Sequence, residues 1–325
     1  MRFFYKLLIV ALIPLAGILS SFEQKEVSID CEPSSVNFDS IKSKNVIVLI
    51  IDGPRYSETF GDTSYQYIPH LANDLAPQGV LIKRFRNNGP TYTNAGHAAI
   101  CTGVYQKINN NGEELPKNPG MFQYFLDQKK LDANHAWIIA SKGKLNILAN
   151  SKNKKWKDKC VCSQYCGVEG KGEGYNNDVN NWRETQRILG EHHPELVLIN
   201  MLEVDVQGHQ NNWPAYLKAL KKTDQIAYDL WNFIQNDSIY KDNTTLIITN
   251  DHGRHLDGHK DGFVNHGDNC EGCRQMYFVG LGPDFKKGLI LENMYEQIDI
   301  PVTISKMLHF SIPTAEGKVM NCLFK

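Results

Sequence analysis

Residues 46–53 of the chain read Val-Ile-Val-Leu-Ile-Ile-Asp-Gly, six consecutive aliphatic residues followed by an acidic residue and a glycine. Two later runs have the same form. Residues 196–199 read Leu-Val-Leu-Ile and lead to Asp205, and residues 244–249 read Thr-Thr-Leu-Ile-Ile-Thr and lead to Asp251. Runs of this kind, apolar almost throughout, are typical of strands that are buried on both faces of a parallel sheet.

Helical patterns lie between these runs. Residues 216–234 carry apolar side chains at helical spacing, with Pro214 near the start, and residues 300–310 form a shorter segment with Pro301 near its start. Strands that alternate with helices predict an α/β fold with a mostly parallel central sheet flanked by helices. Shorter strand candidates are residues 136–140 and 276–281.

The stretch 106–182 is rich in Asn, Gly and Lys and has few strong runs. We expect an irregular insertion over the sheet edge that shapes the pocket, not an independent domain. The domain prediction is therefore a single domain over residues 40–325 that includes this insertion.

The N-terminal segment differs from the rest of the chain. Arg2 and Lys6 precede an almost wholly apolar stretch, residues 7–19, and two small residues, Ser20 and Ser21, follow it. This pattern predicts a signal peptide over residues 1–21, because the apolar stretch is short for a membrane span. We expect an exported protein, periplasmic or secreted, with no stable membrane span after cleavage. A retained N-terminal anchor is the alternative.

The composition argues against a nucleic-acid partner. The 325 residues have a formal net charge of −1 and are 42% hydrophobic, as in an ordinary globular protein. Lys and Arg are scattered along the chain and form no basic cluster. A small molecule, which could still be a nucleotide, is the expected partner.

The chain has eight cysteines, and five of them cluster: Cys160, Cys162 and Cys166, then Cys270 and Cys273. In a cytosolic protein such clusters could hold zinc or an iron–sulfur centre. Export favours structural cysteines and disulfides over a metal site at these cysteines. The spacing does not determine which cysteines pair.

Acidic and histidine residues follow each of the three long apolar runs. Asp52, Asp205 and Asp251 are expected to converge, because open α/β sheets bind ligands at the carboxyl ends of their strands. Asp205 and His209 are four residues apart, which places both on one side of a helical turn.

Two further histidines extend this set. His252 is adjacent to Asp251, and His266 follows in the sequence Asn-His-Gly-Asp. Carboxylate oxygens and imidazole nitrogens together suit Zn²⁺. His255 and His259 lie in the same loop and are expected to support the ligands or to face solvent.

The segment from Pro90 to Thr93, Pro-Thr-Tyr-Thr, supplies a candidate nucleophile. A hydroxyl is a weak nucleophile at neutral pH, and metal coordination lowers its pKa. If a helix begins after Thr93, its N-terminal N–H groups favour an incoming anion.

At this point the chain resembles the alkaline phosphatase superfamily, near the phosphate-irrepressible alkaline phosphatases and the nucleotide pyrophosphatase/phosphodiesterases. The resemblance covers roughly residues 44–312. Its motifs are Asp52 with Gly53 and Arg55, Pro90-Thr91-Tyr92-Thr93 with Gly96-His97 and Thr102-Gly103, Asp205-x-x-Gly208-His209, Asp251-His252-Gly253, and His266-Gly267.

The resemblance implies two zinc ions per chain and Thr93 as the nucleophile. One ion would be held by Asp205, His209 and His266, and the other by Asp52, Thr93, Asp251 and His252. Two ions typically about 4 Å apart clamp the attacking and leaving oxygens of an in-line displacement. The implied reaction is hydrolysis of a phosphate ester through a phosphothreonine on Thr93.

The resemblance also implies contacts to the phosphoryl oxygens. An Asn after the nucleophile makes one such contact in the family, and Asn109, Asn110 and Asn111 are the candidates here, with Asn111 favoured. Lys142 and Lys144 resemble a basic pair of the phosphate-irrepressible enzymes. Lys144 departs from the usual Arg, and a Lys lacks the bidentate geometry of a guanidinium.

Three alternatives to a phosphomonoesterase remain. A nucleotide pyrophosphatase/phosphodiesterase is the main one, and the predicted Lys142 contact favours monoesters over it. A sulfatase would need Cys or Ser where Thr93 stands. An inactive metal-binding export protein would not be expected to keep both the ligand set and Thr93.

Overall fold

The computed structural model describes residues 27–29, 31 and 35–325, so the predicted signal peptide lies outside the described residues. The strands are β1 (Val27–Ile29), β2 (Asn45–Ile51), β3 (Val80–Arg86), β4 (Ala136–Ala140), β5 (Ser163–Gly167), β6 (Lys171–Glu173), β7 (Leu196–Met201), β8 (Thr244–Asn250), β9 (Gln275–Leu281), β10 (Leu289–Leu291) and β11 (Tyr295–Glu296). The α-helices are α1 (Thr93–Thr102), α2 (Met121–Lys129), α3 (Asp178–His192), α4 (Glu203–His209), α5 (Trp213–Asn236), α6 (Glu271–Arg274) and α7 (Asp299–Met307).

All eleven described strands form one sheet, in the order β1-β10-β3-β9-β8-β2-β7-β4-β5-β6, with β11 also paired to β3. Strand β9 is antiparallel to both of its neighbours, and the other described pairings are parallel. The predicted mostly parallel α/β fold is confirmed.

The three long apolar runs are adjacent at the centre of the sheet. Strand β2 lies between β7 and β8. Its first pair with β7 is Val46 with Leu196, and its last pair with β8 is Ile51 with Asn250. Every residue of these three strands is buried. Their carboxyl ends therefore lie side by side at one edge.

Helices cover both faces of the sheet. Val46, Val48 and Ile50 belong to an apolar layer that includes residues of α1, α2 and α7. Ile47 and Leu49 belong to the opposite layer, with residues of α3 and α5. Alternate side chains of one strand point to opposite faces of the sheet, and both faces here are covered by helices. A central strand therefore needs apolar side chains at successive positions.

The expected irregular insertion over residues 106–182 needs a correction. Its residues 136–140 are β4, a fully buried strand between β7 and β5, and residues 163–173 add β5 and β6 at the sheet edge. The strand at residues 136–140 was itself predicted as a short candidate, whereas β5 and β6 were not predicted, because they are short and lie among polar, irregular segments. Irregular backbone is concentrated around residues 103–120 and 150–162.

One disulfide is present among the described residues, between Cys31 and Cys322. The clustered cysteines, for which disulfides were expected, are free thiols. No helix in the described part of the chain is both long enough and apolar enough to span a bilayer.

Candidate active site

Four predicted site residues lie at the carboxyl ends of the three central strands. Asp52 follows β2 directly and Asp251 follows β8 directly, while α4 after β7 carries Asp205 and His209. Asp52, Asp205 and Asp251 are each at most 3% exposed. The three carboxylates predicted from the sequence are therefore brought to one place.

Thr93 is the first residue of α1 and is buried beside these carboxylates. The helix lies close against the end of β8. A Cβ atom on Gly96 would lie only 2.5 Å from the carbonyl oxygen of Asp251. A glycine is needed at this contact, since real Cβ atoms do not come so near. Thr93 is therefore held at the positive, N-terminal end of a ten-residue helix.

Lys142 lies among the carboxylates. Its ammonium group donates to Asp205 Oδ2 at 2.6 Å, Asp52 Oδ1 at 2.9 Å and Thr93 Oγ1 at 3.1 Å, and the side chain is buried. Lys142 follows β4, the neighbour of β7, so it too comes from a strand end. The residue was predicted to contact phosphate; in the structure it contacts the nucleophile candidate and two candidate metal ligands.

The charged groups in the site shift one another's pKa values. Burial raises the pKa of Asp52, and the carboxylate of Asp251 raises it further. Burial alone would also raise the pKa of Asp205, but Lys142 holds it well below its usual range. Burial would likewise lower the pKa of Lys142, yet Asp205 and Asp52 raise it, so the ammonium stays charged.

The three candidate histidine ligands share one orientation. Nδ1 of His266 donates to the carbonyl of Thr91 at 2.9 Å, Nδ1 of His252 donates to the carbonyl of Gly253 at 2.9 Å, and Nδ1 of His209 lies 3.1 Å from Asn265 Oδ1. An oxygen acceptor at Nδ1 leaves the lone pair on Nε2. In each ring, Nε2 faces a carboxylate at 3.3 Å: Asp205 for His209 and His266, and Asp251 for His252.

These side chains suit metal ions. Nε2 of His209 and Nε2 of His266 are 3.1 Å apart, although two neutral rings oriented in this way would meet through their lone pairs. Nε2 of His252 is buried and has no hydrogen-bond partner within the described structure. Burial also lowers the pKa of His252 to about 3, which keeps the ring neutral and able to coordinate. Neutral imidazoles directed at buried carboxylates are a ligand set for Zn²⁺.

The described geometry divides the set somewhat differently from the prediction. Asp205, His209 and His266 form one group with ligand atoms within 4.8 Å of one another. Asp52 and Asp251 form another with His97, and Asp52 also groups with Asp205 and His252. The candidate ligands are thus contiguous, and Asp52 and Asp205 both belong to more than one group.

Sequence reasoning gave His97 no role, although it is part of the resemblance motif. Its Nδ1 donates to the carbonyl of Thr93 at 2.9 Å and lies 3.2 Å from Asp251 Oδ2. Its Nε2 accepts from Asn200, whose amide also donates to Asp52 Oδ2 at 3.0 Å. Because Asn200 occupies Nε2, His97 orients its neighbours and is not free to coordinate as the other rings are.

Arg254 was also missed. It is fully buried, and its guanidinium donates to Asp205 Oδ1 at 2.5 Å and to the carbonyl oxygens of Phe263 and Val264. A Cβ atom on Gly53, where φ is +62°, would lie 2.9 Å from this guanidinium. The only available signal was its position two residues after His252.

The substrate contacts remain predictions, and the structure shows where the side chains concerned lie. Asn111 is exposed and its side chain bonds to Glu113, so it does not reach Thr93 in this structure. Asn110 accepts instead from the backbone N–H of Asn94 in the first turn of α1, at 3.0 Å. The carbonyl of Asn110 in turn accepts from Lys144 Nζ at 3.2 Å.

Two remaining predictions concern neighbouring residues. His255 and His259 both contact Asp268. Arg55 forms a buried bidentate pair with Glu58 and also contacts Asp257, which gives it a structural role.

Comparison with known proteins agrees with this geometry. The chain matches the family described as type I phosphodiesterase/nucleotide pyrophosphatase over residues 46–256, and it belongs to that family, within the alkaline phosphatase superfamily. Enzymes of this kind are metal-dependent phosphoester hydrolases. None of the curated proteins matches the chain.

Solved structures share the fold. Murine ectonucleotide pyrophosphatase/phosphodiesterase 5 is 15% identical with a TM-score of 0.63, over 86% of this chain and 100% of that one. Phosphonate monoester hydrolase from Silicibacter pomeroyi is 14% identical with a TM-score of 0.59, over 86% and 76%. A protein solved with its substrate D-glucosamine-2-N,6-O-disulfate is 12% identical with a TM-score of 0.65, over 86% and 80%.

Proposed function

We propose that the protein is a two-zinc phosphate ester hydrolase in which Thr93 is the nucleophile and becomes a phosphothreonine. The observation that supports this most directly is the position of Thr93 Oγ1. It lies 3.1 Å from Lys142 Nζ, at the N-terminus of α1, beside three buried carboxylates.

The candidate zinc ligands are the set named from the sequence: Asp205, His209 and His266 for one ion, and Asp52, Thr93, Asp251 and His252 for the other. When bound, the ions would supply Lewis acidity that favours the Thr93 alkoxide and offsets charge on the leaving oxygen. The buried Nε2 of His252, which lacks a partner, and the opposed Nε2 atoms of His209 and His266 support this assignment.

The protein groups have separable tasks. The bond from Thr93 Oγ1 to phosphorus forms as the ester P–O bond breaks and the alcohol leaves; water then attacks phosphorus, releases phosphate and restores the hydroxyl. The ammonium of Lys142 donates to Thr93 Oγ1, which favours the deprotonated nucleophile. The positive, N-terminal end of α1 favours the negatively charged phosphoryl oxygens beside Thr93.

Phosphomonoesters are our preferred substrate class, since Lys142 lies within hydrogen-bond distance of the nucleophile and can offset the extra charge of a monoester. Diester or pyrophosphate hydrolysis is the second candidate, and the family match favours it. Export is a further part of the proposal. The Cys31–Cys322 disulfide supports it, because disulfides persist in oxidising compartments.

The test is paired kinetics on an aryl phosphate monoester and its methyl diester. Thr93→Val keeps the branched shape without the hydroxyl, and we expect it to lower kcat at least about 10³-fold. The zinc content should change little, because Asp52, Asp251 and His252 still hold the second ion. Full activity of Thr93→Val would refute the nucleophile assignment. Equal losses on both esters in Lys142→Ala would remove the basis of the monoester preference.

A further inference from the structure

A second group of metal-binding side chains lies outside the site described above. His255, Asp268, Cys270 and Cys273, here called the cysteine–histidine cluster, have ligand atoms within 4.8 Å of one another. The two Sγ atoms are 3.4 Å apart and unbonded, and Asp268 Oδ1 lies 3.6 Å from Cys273 Sγ and 3.3 Å from His255 Nε2. Four donor atoms therefore lie close enough together to bind a single ion.

The orientation of His255 indicates a ligand at that point. Its Nδ1 is paired with Asp261 Oδ1 at 2.7 Å, so its Nε2 carries the lone pair. The side chain is 3% exposed, and its Nε2 has no hydrogen-bond partner in the part of the chain that the structure describes. In protein zinc sites, the ring nitrogen of a histidine ligand that does not bind the metal commonly donates to a carboxylate.

We propose that the cysteine–histidine cluster binds a structural Zn²⁺ through two thiolates, one imidazole nitrogen and one carboxylate oxygen. In a tetrahedral site, Zn–S bonds of about 2.3 Å separate two sulfurs by about 3.8 Å, and Zn–N and Zn–O bonds of about 2.0 Å separate those atoms by about 3.3 Å. The described separations of 3.4 and 3.3 Å are close to these values. All four positions are filled by protein, as in a closed structural site.

The charge balance suits a divalent ion. Two thiolates and a carboxylate around Zn²⁺ leave one negative charge, and Lys260 Nζ lies 2.7 Å from Asp268 Oδ2 to offset it. His259 contacts the same oxygen at 2.8 Å. Asp268 can thus use Oδ1 for the metal while Oδ2 is neutralised from outside.

The cluster joins the two ends of the loop that carries His266. His255 begins the loop, the Cys270–Cys273 turn ends it, and the N–H of Gly253 donates to the carbonyl of Cys273 at 2.8 Å. An ion here would fix both ends of this loop and so help to hold His266 in position. This inference goes beyond the proposed function, since zinc would bind here whether or not Thr93 is a nucleophile.

The competing state is a Cys270–Cys273 disulfide. That state would satisfy the two sulfurs but would leave the buried His255 Nε2 without a hydrogen bond. The metal site accounts for all four side chains, and for this reason we favour it.

Cobalt substitution separates this site from the catalytic one, because thiolates are ligands only in the cysteine–histidine cluster. The full-length protein reconstituted with Co²⁺ should show thiolate-to-cobalt charge-transfer absorption. We expect Cys270→Ser/Cys273→Ser to lose that absorption and one zinc per chain. Cys160→Ser, a change at a cysteine outside the cluster, should retain both, and Asp205→Asn should retain the charge-transfer absorption.

A second measurement needs no variant and so does not depend on the variants folding. Treatment of the zinc-loaded wild type with a mercurial thiol reagent should release one zinc per chain to a metal indicator. Absence of charge-transfer absorption, or a Cys270–Cys273 peptide that is two hydrogens lighter before reduction, would overturn the proposal. Charge-transfer absorption in a protein without esterase activity would overturn the proposed function alone.

Discussion

Lys142 Nζ lies 2.6 Å from Asp205 Oδ2, although the two residues are 63 positions apart in the sequence. The same ammonium also contacts Asp52, so it neutralises two carboxylates that are assigned to different ions. Buried carboxylates without a nearby cation are costly. Lys142 therefore stabilises the site when metal is absent and competes with metal when it is present.

We expect Lys142→Met to lower the free energy of unfolding by about 3–5 kcal/mol in the presence of a chelator, because it leaves buried carboxylates without a counter-charge. In saturating zinc the loss should be much smaller, since bound metal replaces the ammonium charge and stabilises the folded state. Urea denaturation under both conditions measures the difference.

Lys152→Met is the matched control for this prediction. Lys152 forms a half-exposed pair with Glu114, so its removal should cost less than about 1 kcal/mol under either condition. An equal loss for Lys142→Met with and without zinc would contradict the proposed competition.

Lys144 should give activity a distinct pH dependence. Burial, together with the charge of Lys142, lowers the pKa of Lys144 to about 8. If this ammonium assists phosphate binding, its contribution is present below that pH and is lost as the pH rises through it. Lys144→Arg keeps its charge at high pH, so the ratio of variant to wild-type kcat/KM should rise between about pH 7 and 9.

The same shift has a consequence for stability. A lysine with a lowered folded-state pKa binds fewer protons in the folded than in the unfolded protein between about pH 8 and 10.5, so its contribution to stability rises with pH. Lys144→Met should therefore stabilise the protein at pH 7, by on the order of 1 kcal/mol, and less at pH 10. Thermal melting at the two pH values tests the sign, and a destabilised variant at pH 7 would contradict it.

The three adjacent asparagines provide their own control. Asn110→Ala removes the acceptor for the Asn94 N–H at the start of α1, which should cost about 1 kcal/mol of stability and raise KM for a phosphate ester several-fold. Asn111→Ala should change neither by much, because that side chain is exposed and bonded to Glu113. If Asn111→Ala had the larger effect on KM, the result would support the sequence-based preference for Asn111.

His97→Leu should destabilise the protein without removing a metal ligand. The change leaves the Thr93 carbonyl and the Asn200 amide without their buried partner, which should cost about 2–3 kcal/mol. Calorimetry of the unliganded protein would measure this cost. The zinc content should stay near the wild-type value, and loss of a zinc ion would show that His97 is itself a ligand.

Much of the fold could be predicted because its signals are local. The three apolar runs that became β2, β7 and β8 are continuous in sequence, and each leads to an acidic residue. The relation of Asp205 to His209 is one turn of helix, which spacing alone describes. Strand β4 was recognised as a short candidate, while its interior position in the sheet was not, since a five-residue run does not reveal its neighbours.

By itself, the sequence determined the kind of sheet, the acidic strand ends and the candidate nucleophile, since these depend on residue type and on spacing within a few positions. Only the tertiary structure decided that Lys142 contacts Thr93 and two carboxylates, that Asn110 and not Asn111 reaches α1, and that Arg254 is buried on Asp205. It also brought His255 to two cysteines and Asp268. Such contacts form when segments distant in the sequence pack together. The direction of each side chain is then set by tertiary packing, which a local sequence pattern does not predict.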